Sequence, residues 1–170
     1  IFTKAVQINK TLMEQCNILY QTCCTKDGIK HPYCFEDEFD VLKDFPRLYY
    51  VQFKNKLLGF LSVYIIDNNR VEFCIFVHPD YRGKHLGTRL LNTFFADYPM
   101  TNIEVSISPE NQLGIHFLTK NAFDPASTEL LMKTQLKSYI PQKMFQPHFQ
   151  NAQSPNHFKY MIEHHCVGSC

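Results

Sequence analysis

Between Val71 and Phe95 the chain permits few folds. Residues 71–77, Val-Glu-Phe-Cys-Ile-Phe-Val, are apolar on both sides of the pleat from Phe73 onward, which is the pattern of a central strand covered on both faces. After His78-Pro79-Asp80-Tyr81 the chain enters Arg82-Gly83-Lys84-His85-Leu86-Gly87-Thr88. There follows a segment whose Leu86, Leu90, Leu91, Phe94 and Phe95 share one helical face. A buried strand that passes through a glycine-bearing turn into an amphipathic helix calls for a sheet with helices packed on it.

The flanking sequence extends this layout. Residues 48–53 and 57–66 read as strands, joined to each other and to 71–77 by the short turns Lys54-Asn55-Lys56 and Asp67-Asn68-Asn69, so the three are antiparallel neighbours. Upstream, Thr11-Leu12-Met13-Glu14 is a capping-box pattern, and Leu12, Cys16, Leu19 and Cys23 repeat at helical spacing to about Cys24. Residues 25–32 read as a loop, and Phe35, Phe39 and Leu42 mark a short second helix that stops before Pro46. Downstream come a strand at 103–107, a helix at 112–121 with Ile115 and Leu118 inward, and a further strand at 130–134. This order predicts an α+β sandwich, a mixed and mostly antiparallel central sheet flanked by helices. Residues 1–136 read as one domain. Residues 137–170 read as a linker, rich in Gln, Asn and Pro, followed either by a closing strand or by the start of a truncated second repeat, because 159–170 loosely echo 50–61.

Composition excludes several classes. A net charge of +1 exerts no broad pull on nucleic acid or an anionic membrane, so any bound anion must be caught by a local device. No apolar run approaches the ~20 residues of a membrane span, and Ile1-Phe2-Thr3-Lys4 lacks the layout of a secretory signal. The chain opens without Met and reads as a piece of something longer. Seven irregularly spaced cysteines read as reduced thiols in a cytoplasmic protein. Cys23, Cys24, His31 and Cys34, and again His164, His165, Cys166 and Cys170, lack the paired C-x-x-C spacing of a zinc site, so no metal is expected.

The turn at 82–88 is the local device. The first N–H groups of a helix lack intrahelical partners, and the helix dipole adds about half a positive charge there. Gly83 and Gly87 let the backbone approach a diphosphate, while Arg82 and Lys84 add mobile charge. The turn is neither a P-loop nor a dinucleotide fingerprint. The plainer reading of a Gly-Lys pair beside a helix start is a solvated cap.

The stretch from Val71 to Leu91 resembles the signature segment of the GNAT superfamily of N-acetyltransferases. That pattern is an apolar strand ending in Val-x-Pro, then Arg/Gln-x-x-Gly-x-Gly/Ala, then an amphipathic helix. Val105-Ser106-Ile107-Ser108-Pro109-Glu110-Asn111, followed by Phe117-Leu118-Thr119-Lys120-Asn121-Ala122-Phe123, is similar to the family's strand, Asn, helix and Lys-x-Gly-Phe ending. The resemblance covers about residues 48–134. It implies an acyl-CoA N-acyltransferase fold and transfer of acetyl from acetyl-CoA to a primary amine of a small molecule or peptide, by direct attack in a ternary complex. The alternative is a non-catalytic coenzyme-binding or regulatory domain. It also implies that main-chain groups of Phe76 and Val77 pair with the pantetheine arm as though it were another strand. The amides of Arg82, Gly83, Lys84, His85, Leu86, Gly87 and Thr88 then hold the pyrophosphate, and Asn111 contacts the arm. The protein is expected as a monomer or homodimer, or as part of a two-repeat chain. Three positions depart from the family pattern: His85 and Ala122 stand where Gly is usual, and Leu118 where many members have a Tyr that protonates the leaving thiolate.

An alkylamine with a pKa near ~10.4 must lose a proton before it attacks. Glu72, at the start of the central strand, is the candidate catalytic base, directly or through water; its plainer reading is a strand-end carboxylate facing solvent. His78, His116 and Glu104 are weaker candidates. A main-chain N–H near Val77 is expected to meet the oxyanion. A thiol of pKa about 8.5 is a tolerable leaving group without an acid.

Overall fold

The structure is a computed structural model that describes residues 1–33, 45–67, 69–98, 102–130 and 156–162, with the backbone alone described at 127–130 and 156–162. Among these residues one seven-stranded sheet runs in the order β1-β2-β3-β4-β5-β7-β6. Its strands are β1 (Phe2–Ala5), β2 (Leu48–Phe53), β3 (Lys56–Asp67), β4 (Arg70–Val77), β5 (Asn102–Ile107), β6 (Asp124–Leu130) and β7 (Asn156–Ile162). The helices are α1 (Lys10–Asp27), α2 (Leu86–Asp97) and α3 (Gln112–Lys120). Every neighbouring pair is antiparallel except β4 and β5, which are parallel and linked through α2. The α+β class and the mixed, mostly antiparallel sheet are as the sequence predicts.

Central strand β4 divides its side chains between two cores, as a strand apolar on both faces must. Val71 and Phe73 join Leu90, Leu91 and Phe94 of α2, with Leu118 and Phe123, on one face. Cys74 and Phe76 join Leu12, Cys16, Leu19, Tyr20 and Cys23 of α1 on the other. The hairpin between β2 and β3 turns on Lys54 and Asn55, both at positive φ (46° and 63°), a pairing that matches the twist of the flanking strands.

Three local expectations are corrected, and one strand is new. Strand β1 was not predicted; four residues hold too little alternation to be read, and its place comes from pairing with β2. The cap of α1 is Asn9 rather than Thr11, with Asn9 Oδ1 accepting from Leu12 N at 2.9 Å. That helix does not end near Cys24. It continues to Asp27, where Gly28 adopts a left-handed conformation (φ 67°) and donates its N–H to the Cys24 carbonyl. Strand β6 begins at Asp124, six positions ahead of residue 130, because it pairs with β7. The helix expected from Phe35 to Leu42, the expected strand beyond Leu130, the Gln/Asn/Pro-rich stretch up to residue 155 and residues 163–170 lie outside the described residues.

The feature that positions the site is a break in the ladder. Strands β4 and β5 pair only at Arg70↔Asn102, Val71↔Ile103 and Glu72↔Glu104. Beyond Glu72, β4 stays with β3 as far as Val77 while β5 stays with β7 as far as Ile107. The sheet forks between them.

Candidate functional site

The fork is a small cleft of about 60 Å³ lined by Cys74, Ile75 and Phe76 of β4, Val105 to Ile107 of β5, and Asn111, Phe117 and Leu118 around α3, with His31 and Pro32 entering from the loop after α1. His78 N donates to Leu58 O at 2.9 Å, and Phe60 pairs with Phe76. Antiparallel alternation therefore turns the main chain of Phe76 toward β3 and presents those of Ile75 and Val77 to the fork. Of the two strand residues expected to meet an arm, the main chain of Val77 faces the opening and that of Phe76 faces β3; Ile75 is the other residue whose main chain faces the opening. The Val77 carbonyl already accepts from Arg82 Nε at 3.1 Å and Cys23 Sγ at 3.4 Å.

From β4 the chain passes through one turn of 3-10 helix, Pro79–Tyr81, to the glycine-bearing turn. Gly83 (φ 73°) and His85 (φ 58°) are both left-handed and curl the backbone around Lys84, an arrangement that gathers amides into an anion-binding concavity. Arg82 N donates to Pro79 O at 3.3 Å, and the first bond of α2 is Arg89 N to His85 O at 3.1 Å. Among the described residues no amide from Gly83 through Thr88 donates to the protein, and the α2 start carries no side-chain cap. The donor row therefore begins at Gly83, one residue later than expected.

Both charged side chains of the turn have partners within the protein. Arg82 is clamped to Asp27, Nη1 to Oδ1 at 2.6 Å and Nη2 to Oδ2 at 2.9 Å. Lys84 Nζ donates to Asp80 O at 3.3 Å and lies 4.8 Å from the centre of the Tyr81 ring. The unengaged donors of the turn are its backbone amides. Gly87 also has a different reason to be Gly: a Cβ there would meet the Phe117 ring at 3.2 Å, so it lets α2 and α3 close over the fork.

Asn111 caps α3, its Oδ1 accepting from Gly114 N at 2.9 Å, while its Nδ2 faces His31 Nδ1 at 3.4 Å. His31, buried, joins its Nε2 to Asp27 Oδ2 at 2.9 Å. Arg82, Asp27, His31 and Asn111 thus form one polar chain across the mouth of the fork. Burial by itself pushes the Asp27 carboxyl up, but hydrogen bonds from Arg82 and His31 outweigh it and hold the group below the usual carboxylate range. The bond to Asp27 raises Arg82 in turn. Sequence reasoning gave Asp27 and His31 no role in this site, placing both in a loop. Gly28, read as a left-handed helix cap, was the signal that could have extended α1 as far as Asp27.

Glu72 occupies the last paired position before the fork, half-buried, and accepts from Ser106 Oγ at 2.5 Å. Val77 lies five positions further on, about 16 Å along a strand. Of the weaker candidates, His78 accepts from Asp80 N at 3.3 Å and packs edge-on to Tyr81, His116 is exposed on α3, and Glu104 is buried opposite Glu72. Leu118 is buried at the fork. Both positions where the family pattern has Gly prove to be left-handed, His85 at φ 58° and Ala122 at φ 64°.

The family model for the GNAT acetyltransferases matches residues 10–123. Among solved structures, an N-acetyltransferase from Staphylococcus aureus Mu50 is similar with a TM-score of 0.63 at 14% identity, covering 96% of this chain and 97% of its own. The ribosomal-protein-S18-alanine N-acetyltransferase from Escherichia coli gives 0.61 at 11%, covering 100% and 99%. The protein yncA of Salmonella typhimurium, with its cofactor acetyl-CoA, gives 0.59 at 14%, covering 100% and 98%. At these identities the likeness is one of fold. No curated protein matches the sequence.

Proposed function

Because the chain belongs to the GNAT family of acetyltransferases, we propose that it moves an acetyl group from acetyl-CoA to a primary amine by direct attack in a ternary complex. The observation that carries this reading is the adjacency of the fork to the unpartnered amides from Gly83 through Thr88. The two fit the two halves of the coenzyme. Ile75 offers outward main-chain groups to an extended amide-bearing arm, Val77, whose carbonyl is taken by Arg82 and Cys23, offers only its N–H beside the thioester, and the helix start offers N–H donors and positive potential to a pyrophosphate. Asn111, at the fork's α3 side, is read as a contact to the arm. A Val77 N–H turned into the fork is the donor for the oxyanion.

Glu72, the base candidate from the sequence, can reach the reacting centre only at a distance, through Ser106 and water, since it stands at the closed end of the fork. The acceptor is a small molecule or a peptide amine, and the setting is cytoplasmic. Strand β7 is read as the domain's closing strand. A non-catalytic coenzyme-binding role is the second reading, favoured by one observation: the side chain at the family's Tyr position is Leu118, which has no proton to give.

Calorimetry with acetyl-CoA, followed by a thiol-release assay over a panel of amines, tests the proposal. Binding with turnover is expected. Binding without turnover on any amine leaves the second reading, and no binding removes both.

A further inference from the structure

Resting on the acetyl-transfer reading above, we propose that His31 is a catalytic residue of this chain, its Nδ1 taking the proton from the acceptor nitrogen as that nitrogen attacks.

The partners of His31 define which nitrogen carries hydrogen. Asn111 Oδ1 is committed to Gly114 N at 2.9 Å, so the group facing His31 Nδ1 at 3.4 Å is an NH₂ donor, and Nδ1 meets it with a lone pair. At the opposite edge Nε2 lies 2.9 Å from Asp27 Oδ2. The clamp from Arg82 keeps that carboxylate ionised and acceptor-only, so Nε2 carries the hydrogen. A carboxylate that fixes the tautomer and steadies the imidazolium is the arrangement a histidine base needs. Tyr20 Oη donates to the His31 carbonyl at 3.0 Å and pins the loop that carries it.

Position favours His31 over Glu72. The His31 ring lies 5.9 Å from that of Phe76, one residue before Val77, and lines the fork. Glu72 is four strand positions further back, about 13 Å, and is engaged with Ser106. The titratable and charged groups around His31 among the described residues are Asp27 and Tyr20 of α1, Arg82 of the turn and Cys74 of β4. Starting from the neutral amine, the step balances: the amine lone pair forms the C–N bond, the C–S bond breaks with its pair going to the thiolate, and one N–H proton passes to Nδ1. From there it returns to solvent or to the thiolate.

His31→Gln keeps an N–H for Asp27 and deletes the basic nitrogen, so it spares a structural role and removes a catalytic one. The expected result is a fall in kcat of about 10²-fold or more, loss of the acid limb of the kcat/KM pH profile, and acetyl-CoA affinity within about twofold of wild type. Retention of that limb with near-wild-type kcat overturns the proposal, as does loss of the limb in Glu72→Gln alone. In the wild type, imidazole ¹⁵N shifts must report the Nε2–H tautomer at His31; an Nδ1–H tautomer overturns the proposal whether or not the variant folds. A wild type that binds acetyl-CoA without turnover sinks this inference and spares coenzyme binding, whereas absence of binding sinks the acetyl-transfer reading with it.

Discussion

Asp27 accepts from both terminal nitrogens of Arg82, at 2.6 and 2.9 Å, across 55 positions of sequence. This fork-to-fork contact is charge-assisted and only partly exposed, with 15% of the Asp27 side chain and 31% of the Arg82 side chain reaching solvent. It ties the last turn of α1 to the turn that precedes α2.

Arg82→Ala leaves the Asp27 carboxylate with one partner fewer in a half-buried place, so a loss of about 2 kcal/mol in urea unfolding is expected. The pH dependence follows from the depressed Asp27 pKa. Its contribution is complete above the ordinary value of 3.8 and is lost as pH falls through the lower, folded-state value. The stability difference between wild type and Asp27→Asn should therefore be flat from neutrality down to about pH 4 and shrink below it. A difference that grows on acidification contradicts the assignment.

His85→Gly relieves a Cβ from a left-handed conformation, and a gain of up to ~1 kcal/mol is expected. Gly83→Ala runs the other way by about 1 kcal/mol. A Cβ at Gly83 meets nothing within 4 Å, so the loss is one of backbone strain alone. Thermal melts of the two variants should move in opposite directions.

Gly87→Glu brings a negative charge to the donor row and bulk against Phe117. Acetyl-CoA affinity should fall at least about tenfold by calorimetry. Unchanged affinity argues against the site.

Gly114→Ala places a Cβ 2.5 Å from Asn111 Nδ2 and 2.6 Å from Ile107 Cδ1. The Asn111 cap must shift, costing about 1–3 kcal/mol, and the contact with His31 shifts with it. An unfolding midpoint equal to that of wild type contradicts this packing.

The strand, turn and helix from Val71 to Asp97 were legible because their periodicities are strong: a strand apolar on both faces, then Leu90, Leu91 and Phe94 on one helical side. Their place in the sheet follows from the same pattern. The N-cap of α1 is not settled by sequence because Thr11 and Asn9 both suit the position, and only the backbone at Asn9, φ −76° and ψ 161°, distinguishes them. The turn's donors were legible from its glycines, but the tethering of Arg82 was not. Its partner is 55 residues away, as Asn111 is 80 residues from His31, and no local pattern encodes a contact at that range. The two non-glycine residues at left-handed positions, His85 and Ala122, stood out in sequence only as departures; the dihedrals supply their meaning.

A ladder that stops in mid-sheet leaves a raw seam inside the sheet. Sheet margins are the usual place for stray strands to zip on, and here that hazard sits at the centre, with Arg82 on the Val77 carbonyl as its stopper. Arg82→Ala should therefore self-associate at concentrations where wild type stays dispersed.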